Sequence, residues 1–141
     1  MEESRWKMNN RIAGNHFEEQ LCEILRDHGF WTHNMAQNKF GQPADIIAVN
    51  GHNAILIDAK VCKSNRFSLE RVEDNQYLAM SYWTKITKNP SGFAFYLEQS
   101  DEIKFIEFLD IRVLIARGVK GINHSDWEKT ISFDEFVELY K

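Results

Sequence analysis

Two acids and a lysine in this chain have the types and spacing to do chemistry. Asp45 lies in Pro43-Ala44-Asp45-Ile46-Ile47-Ala48-Val49, and Asp58 and Lys60 lie in Ala54-Ile55-Leu56-Ile57-Asp58-Ala59-Lys60. Asn50-Gly51 between the two runs is a strong hairpin signal, and each flank is an apolar, β-branched run of strand length. Side chains alternate along a strand, so Asp58 and Lys60 point to one face. A two-residue loop pairs Val49 with His52 and Asp45 with Leu56; a four-residue loop pairs Val49 with Ala54 and Asp45 with Asp58. Both registers put Asp45, Asp58 and Lys60 on the same face, and only a bulge or an odd-length loop separates them. Two carboxylates and an ammonium at the end of an apolar hairpin are costly to bury without a partner. A divalent cation held by the acids, with the lysine beside its bound water, satisfies them and points to metal-dependent phosphodiester hydrolysis. The plainer alternative is a solvated Asp–Lys cross-strand pair.

The elements around the hairpin follow from periodicity. Asn15 with Glu18 three residues on is a capping-box pattern, followed by Phe17, Leu21, Ile24 and Leu25 on one helical stripe up to Gly29. Residues 30–34 read as a strand and 36–42 as a polar loop. After the Asp45–Val61 hairpin, 62–68 is a polar connection and a second helix runs from about Leu69 to Lys85. Its stripe is Val72, Gln76, Ala79, Met80 and Trp83. Asn89-Pro90-Ser91-Gly92 is a turn between that helix and strands at 93–98 and 103–108. Asp110 is placed to cap a short helix ending at Gly118, and Ser132-Phe133-Asp134-Glu135 is a second capping box opening a helix to Tyr140. The order α-β-β-β-α-β-β-α is α/β, a central mixed β-sheet flanked by helices.

A chain of 141 residues, 43% hydrophobic, is one domain with ample core, residues 1–10 reading as a flexible N-terminal arm. No run approaches the roughly 18–20 apolar residues of a membrane span, and Met1–Met8 has no apolar secretory core, so the expected compartment is the cytoplasm. Cys22 and Cys62 fit reduced, ordinary thiols. The five histidines form no zinc-like pair, and neither a P-loop nor a G-x-S-x-G elbow is present. Net charge is −4, but its distribution matters more. Between Lys60 and Lys88 six bases face three acids, whereas between Asp101 and Glu138 nine acids face five bases. A basic surface near the hairpin is therefore compatible with an acidic protein. Trp31, Trp83 and Trp127 read as core or interface residues, and Trp6, in the polar arm, as the tryptophan to test for base stacking.

The Pro43-Ala44-Asp45 and Asp58-Ala59-Lys60 elements resemble the PD-(D/E)xK nuclease superfamily, with the first element loosened by one residue and Asp where Glu is commoner. The element order is similar to its restriction-endonuclease-like core. Gly14-x-x-Phe17-Glu18 resembles the resolvase branch, in which that glutamate completes the metal site; helix capping is the competing role for Glu18. Gln76, polar on an apolar stripe, matches a position that the family places beside the lysine and the scissile phosphate, and a satisfied core amide is its alternative. Arg66-Phe67-Ser68-Leu69, Asn75-Gln76 and Asn10-Arg11 resemble RecU-type Holliday-junction resolvases, and archaeal-type junction resolvases are similar over the same stretch.

The resemblance implies a Mg²⁺- or Mn²⁺-dependent endonuclease acting on branched DNA, with Asp45, Asp58, Glu18 and the carbonyl of Ala59 on the metal. It implies Lys60 and Gln76 at the reacting phosphate, Arg11, Lys63 and Arg66 on backbone phosphates, and a two-fold homodimer. A nuclease for linear duplex, or a DNA-binding protein without turnover, would use the same fold.

Overall fold

The alternating apolar runs assemble into a five-stranded sheet in the computed structural model, which describes residues 10–35, 42 and 44–141. Strands β1 (Trp31–Asn34), β2 (Ile46–Val49), β3 (Ala54–Cys62), β5 (Ser91–Leu97) and β6 (Glu102–Glu107) lie side by side in the order β1-β2-β3-β5-β6. Strands β4 (Phe67–Ser68) and β7 (Gly121–Ile122) pair separately as a short antiparallel ribbon. Within the main sheet β3 and β5 run parallel, while the other neighbours are antiparallel. A parallel pair needs a long crossover. Here it contains β4, a 3-10 turn at Leu69–Arg71 and helix α2 (Asp74–Thr87).

Helix α1 (Asn10–Asp27) presents Ala13, Phe17, Leu21 and Leu25 at a spacing of four, so one stripe is buried. It stops in a Schellman turn: Gly29 takes φ +88°, the Gly29 amide donates to Arg26 O at 3.0 Å and the Phe30 amide to Leu25 O at 3.1 Å. α1 packs on one sheet face with α5 (Phe133–Tyr140), around Ile46, Ile55, Ile57, Ala94, Tyr96 and Phe105. The opposite face carries α2, α3 (Phe108–Ala116) and the single turn α4 (His124–Trp127), packed on Leu56, Phe93, Phe95 and Leu97. Every residue of β5 is buried, as expected of a central strand covered on both faces. Gly92 in β5 is required by close approach: a Cβ there would lie 2.5 Å from Ile106 O.

The α/β architecture and the mixed sheet are as the sequence implies, but several boundaries are not. α1 begins at Asn10, so Asn15 sits within the helix and caps nothing. The second helix starts at Asp74 rather than Leu69, because Leu69 turns into the core in a separate 3-10 turn. Asp110 lies in the first turn of α3, whose N-cap is Glu107. Ser132 does open α5, with its side chain accepting from the Glu135 amide. The loop at 36–41, Pro43 and residues 1–9 with Trp6 lie outside the described residues, so the N-terminal arm does too. Both cysteines are buried and free. Among the described residues no helix is long and apolar enough to cross a membrane.

Candidate active site

The hairpin adopts the four-residue register, with Val49 opposite Ala54 and Ile46 opposite Ile57. The Asn50 side chain holds the loop by accepting from the His52 and Asn53 amides at 2.8 and 2.7 Å. One step past the last paired rung, Asp45 faces the Asp58–Ala59 stretch of β3. Its amide donates to Ile57 O at 3.0 Å, and its Oδ2 accepts the Ala59 amide at 2.7 Å. The carboxylate thus stands in for a ladder carbonyl where β2 has ended. This fixes Asp45 to the central strand.

Asp58 is only 2% exposed and meets Lys60 and Gln76. Lys60 Nζ lies 2.9 Å from Asp58 Oδ2, and Gln76 Nε2 donates to Asp58 Oδ1 at 3.0 Å. The same ammonium donates to Gln76 Oε1 at 3.2 Å, closing an acid–amide–ammonium triangle. Gln76 is buried in the first turn of α2, where its Oε1 also accepts the Glu73 amide at 3.3 Å. The helix beginning at Asp74 is what carries Gln76 to the sheet, so this amide both caps α2 and lines the site. Asp58 Oδ2 is buried and, among the described residues, its close partner is the Lys60 ammonium, so it is held by charge rather than by a well-aligned set of hydrogen bonds.

Glu18 arrives from the other side of the sheet. It is buried on α1, and the Asn34 side chain at the end of β1 hydrogen-bonds it. Burial pushes its carboxyl up to about 7; the nearby Asp45 charge adds to the rise and the Asn34 bond opposes it. Burial likewise lifts Asp58 well above the usual carboxylate range, against the pull of Lys60 and with a further push from Asp45. Asp45 is therefore the electrostatic hinge between an acid from the α1 layer and an acid on β3. The three carboxylates do not form a tight cage: among the described residues no group of three or more His, Cys, Asp or Glu is placed to hold an ion.

The fold thus brings Glu18, Asp45, Asp58, Lys60 and Gln76 to one end of the β2–β3 hairpin, with Ala59 tied to Asp45. Lys63 and Arg66 are exposed on the connection from β3 to β4, and the Arg11 side chain lies outside the described residues. Two polar residues were not anticipated. Gln42 Nε2 donates to Asp45 Oδ1 at 3.0 Å, and Asn34 supports Glu18. The only signals for them were local: Gln42 directly precedes Pro43, and Asn34 lies two residues after Thr32, on the same face of a strand.

A buried acid pair, an adjacent ammonium and a third acid of raised proton affinity form a chemically primed polar cluster. Comparison with known proteins gives the family. The family model described as "Archaeal holliday junction resolvase (hjc)" matches residues 8–141. The fold is similar to that of Archaeoglobus fulgidus Hjc, described as a Holliday junction resolvase from an archaeal hyperthermophile. The TM-score is 0.68 at 18% identity, covering 89% of this chain and 99% of that one. No curated protein sequence matches. Of the two resolvase branches the sequence resembles, the archaeal one is matched. Spanning the sheet, both helical layers and every carboxylate of the site, the family match makes this chain a member of the archaeal Holliday junction resolvase family of junction-resolving nucleases.

Proposed function

We propose that the chain is a Mg²⁺- or Mn²⁺-dependent endodeoxyribonuclease that cuts four-way DNA junctions from the cluster at Asp45 and Asp58. The observation that carries this is the buried Asp58 carboxylate, close to a second acid, Asp45, and 2.9 Å from the Lys60 ammonium. Hard oxygen donors suit these cations, and a cation would relieve the mutual repulsion of the acids. Asp45, Asp58 and the Ala59 carbonyl would hold it, with Glu18 completing the shell from α1. When bound, the metal supplies Lewis-acid activation of water and neutralises charge at the scissile phosphate.

The chain's own groups do the rest. Lys60, already oriented by Asp58 and Gln76, positions the attacking water or meets the charge that grows on the phosphate as the new P–O bond forms and the P–O3′ bond breaks. Gln76 keeps the ammonium from collapsing onto Asp58 alone. Lys63, Arg66 and Arg11 contact backbone phosphates without reading sequence. Symmetric cutting requires two facing sites, hence a homodimer. The exposed stripe Leu78, Tyr82 and Ile86 on α2, spaced by four, supports it as the seam. A single nuclease domain over 1–141, working in the cytoplasm, completes the proposal.

The test is purified protein with Mg²⁺ on labelled four-way junction, fork and linear duplex of equal length. Paired symmetric cuts, junction preference, a dimer by light scattering and steep weakening with salt are expected. Asp58→Asn should keep the fold and junction binding while cutting more than roughly 100-fold slower, beyond the usual cost of disturbing a metal's surroundings. A monomer that cuts duplex as readily as junction overturns the branched-DNA reading; an Asp58→Asn variant at wild-type rate overturns the site.

A further inference from the structure

We propose that Trp31, backed by His33, is a stacking platform for a nucleobase exposed at the branch point of the DNA, a proposal that rests on the junction-cutting function above. Trp31 is 64% exposed although it belongs to a strand of the central sheet. Its indole lies parallel to the His33 ring, with an interplanar angle of 7° and centroids 6.2 Å apart. Residues two apart on a strand share a face. Both side chains therefore stand on one side of β1, held by two positions of an ordered ladder.

That side is the side of the active site. Trp31 pairs with Val49 and His33 with Ile47, and Ile47 pairs in turn with Leu56. Leu56, Asp58 and Lys60 share a face of β3, so the aromatic pair and the acid–lysine pair occupy the same sheet face; the His33 row adjoins that of Asp45 and Asp58, and Trp31 lies one row further out, opposite Val49 towards the hairpin loop. The other two residues of β1 point away: Thr32 accepts from Arg26 of α1, and Asn34 hydrogen-bonds Glu18. Among the described residues, α2 and α3 pack over β5 and β6 on the active-site face, whereas the helix packed on β1 is α1, on the opposite face. A flat, exposed ring on the same sheet face as a phosphodiester-cutting centre, two rows along from it, matches the chemistry of a base whose stacking partner has been lost, which a four-way junction offers at its crossover and a linear duplex does not. Aromatic stacking is indifferent to base identity, in keeping with recognition of structure rather than sequence.

The test uses the full chain in EDTA, so that no strand is cut, with a four-way junction carrying 2-aminopurine at the branch point and a linear duplex of equal length. Wild type should quench the probe. Trp31→Ala should lose the quenching and bind the junction roughly 10-fold more weakly, with duplex affinity unchanged, and Trp31→Phe should recover most of both. Light scattering of Trp31→Ala should still give the wild-type assembly. Unchanged junction affinity and quenching, equal loss on duplex and junction, or conversion of the assembly to monomer would each overturn the platform, the last by showing that a second copy covers Trp31. A wild-type protein that neither prefers nor cuts junctions would instead overturn the proposed function itself.

Discussion

Glu18 and Glu135 follow the same local pattern, a hydrogen-bonding residue three positions earlier, and live in opposite electrostatic worlds. In Ser132-x-x-Glu135 the pattern opens α5: the Glu135 amide donates to Ser132 Oγ at 3.1 Å and the Ser132 amide to Glu135 Oε1 at 3.2 Å. Those bonds favour the charged form and hold the exposed Glu135 carboxyl below its ordinary range. In Asn15-x-x-Glu18 the helix has already begun at Asn10, so the backbone amides there have intrahelical partners and no cap is needed. Glu18 is instead buried near Asp45 and driven up to about 7. One glutamate serves folding; the other is kept at a cost in folding, which is what a functional acid looks like.

Substitutions can break this contrast. The largest effect is expected from Glu18→Gln, which should lower Mg²⁺-dependent junction cleavage by at least roughly 10-fold while the protein stays at least as stable as wild type. Glu135→Gln should cleave like wild type. Equal activity of the two variants in a single-turnover assay would remove Glu18 from the site.

The pH dependence sharpens it. In the metal-free protein the Glu18 contribution to stability is full below its unfolded pKa, near 4.5, and is lost as pH rises through about 7, because its folded pKa is raised. Glu135 and Glu138 have lowered values, so their contributions hold above that unfolded pKa and fade as pH falls. Denaturant melts of wild type and Glu18→Gln across pH 4.5–7 should therefore diverge in favour of the variant as pH rises; a constant difference would contradict burial as the cause.

The smallest effects concern the two capping positions. Ser132→Ala should cost about 1 kcal/mol by removing a genuine N-cap. Asn15→Ala, exposed and within α1, should be neutral or stabilising by roughly 0.5 kcal/mol, since alanine is the better helix former. A Ser132-sized loss at Asn15 would mean that α1 frays back to that residue.

The hairpin was legible because strand alternation is a rigid rule: whichever even-length loop formed, Asp45, Asp58 and Lys60 had to share a face. What alternation could not supply was the register itself, chosen by the Asn50 side chain gripping a four-residue loop. The start of α2 was misplaced because Leu69 and Val72 fit the helical period while packing from a 3-10 turn and an extended residue. The β4–β7 ribbon left no periodic trace, since two-residue strands carry none and Phe67 pairs with Ile122 far along the chain. Trp127 was legible as a core residue but not its role, which is to donate to Asn65 O at 2.8 Å and close that side of the molecule. Gln42 and Asn34 escaped for a similar reason: their partners, Asp45 and Glu18, are brought to them only by the fold.

The Asp45 carboxylate, by accepting the Ala59 amide, is a structural member of the sheet as well as a proposed ligand. Removing it leaves a strand amide without its acceptor, and a buried unpaired donor costs about 1–3 kcal/mol. An inactive Asp45→Ala protein would thus be ambiguous evidence for catalysis, whereas Asp58→Asn keeps an oxygen to accept from Gln76 and so separates chemistry from architecture. The same bond makes the Ala59 amide proton a native reporter: its NMR frequency senses the charge on Asp45 directly, so a titration with Mg²⁺ can be followed from the backbone without labelling the site.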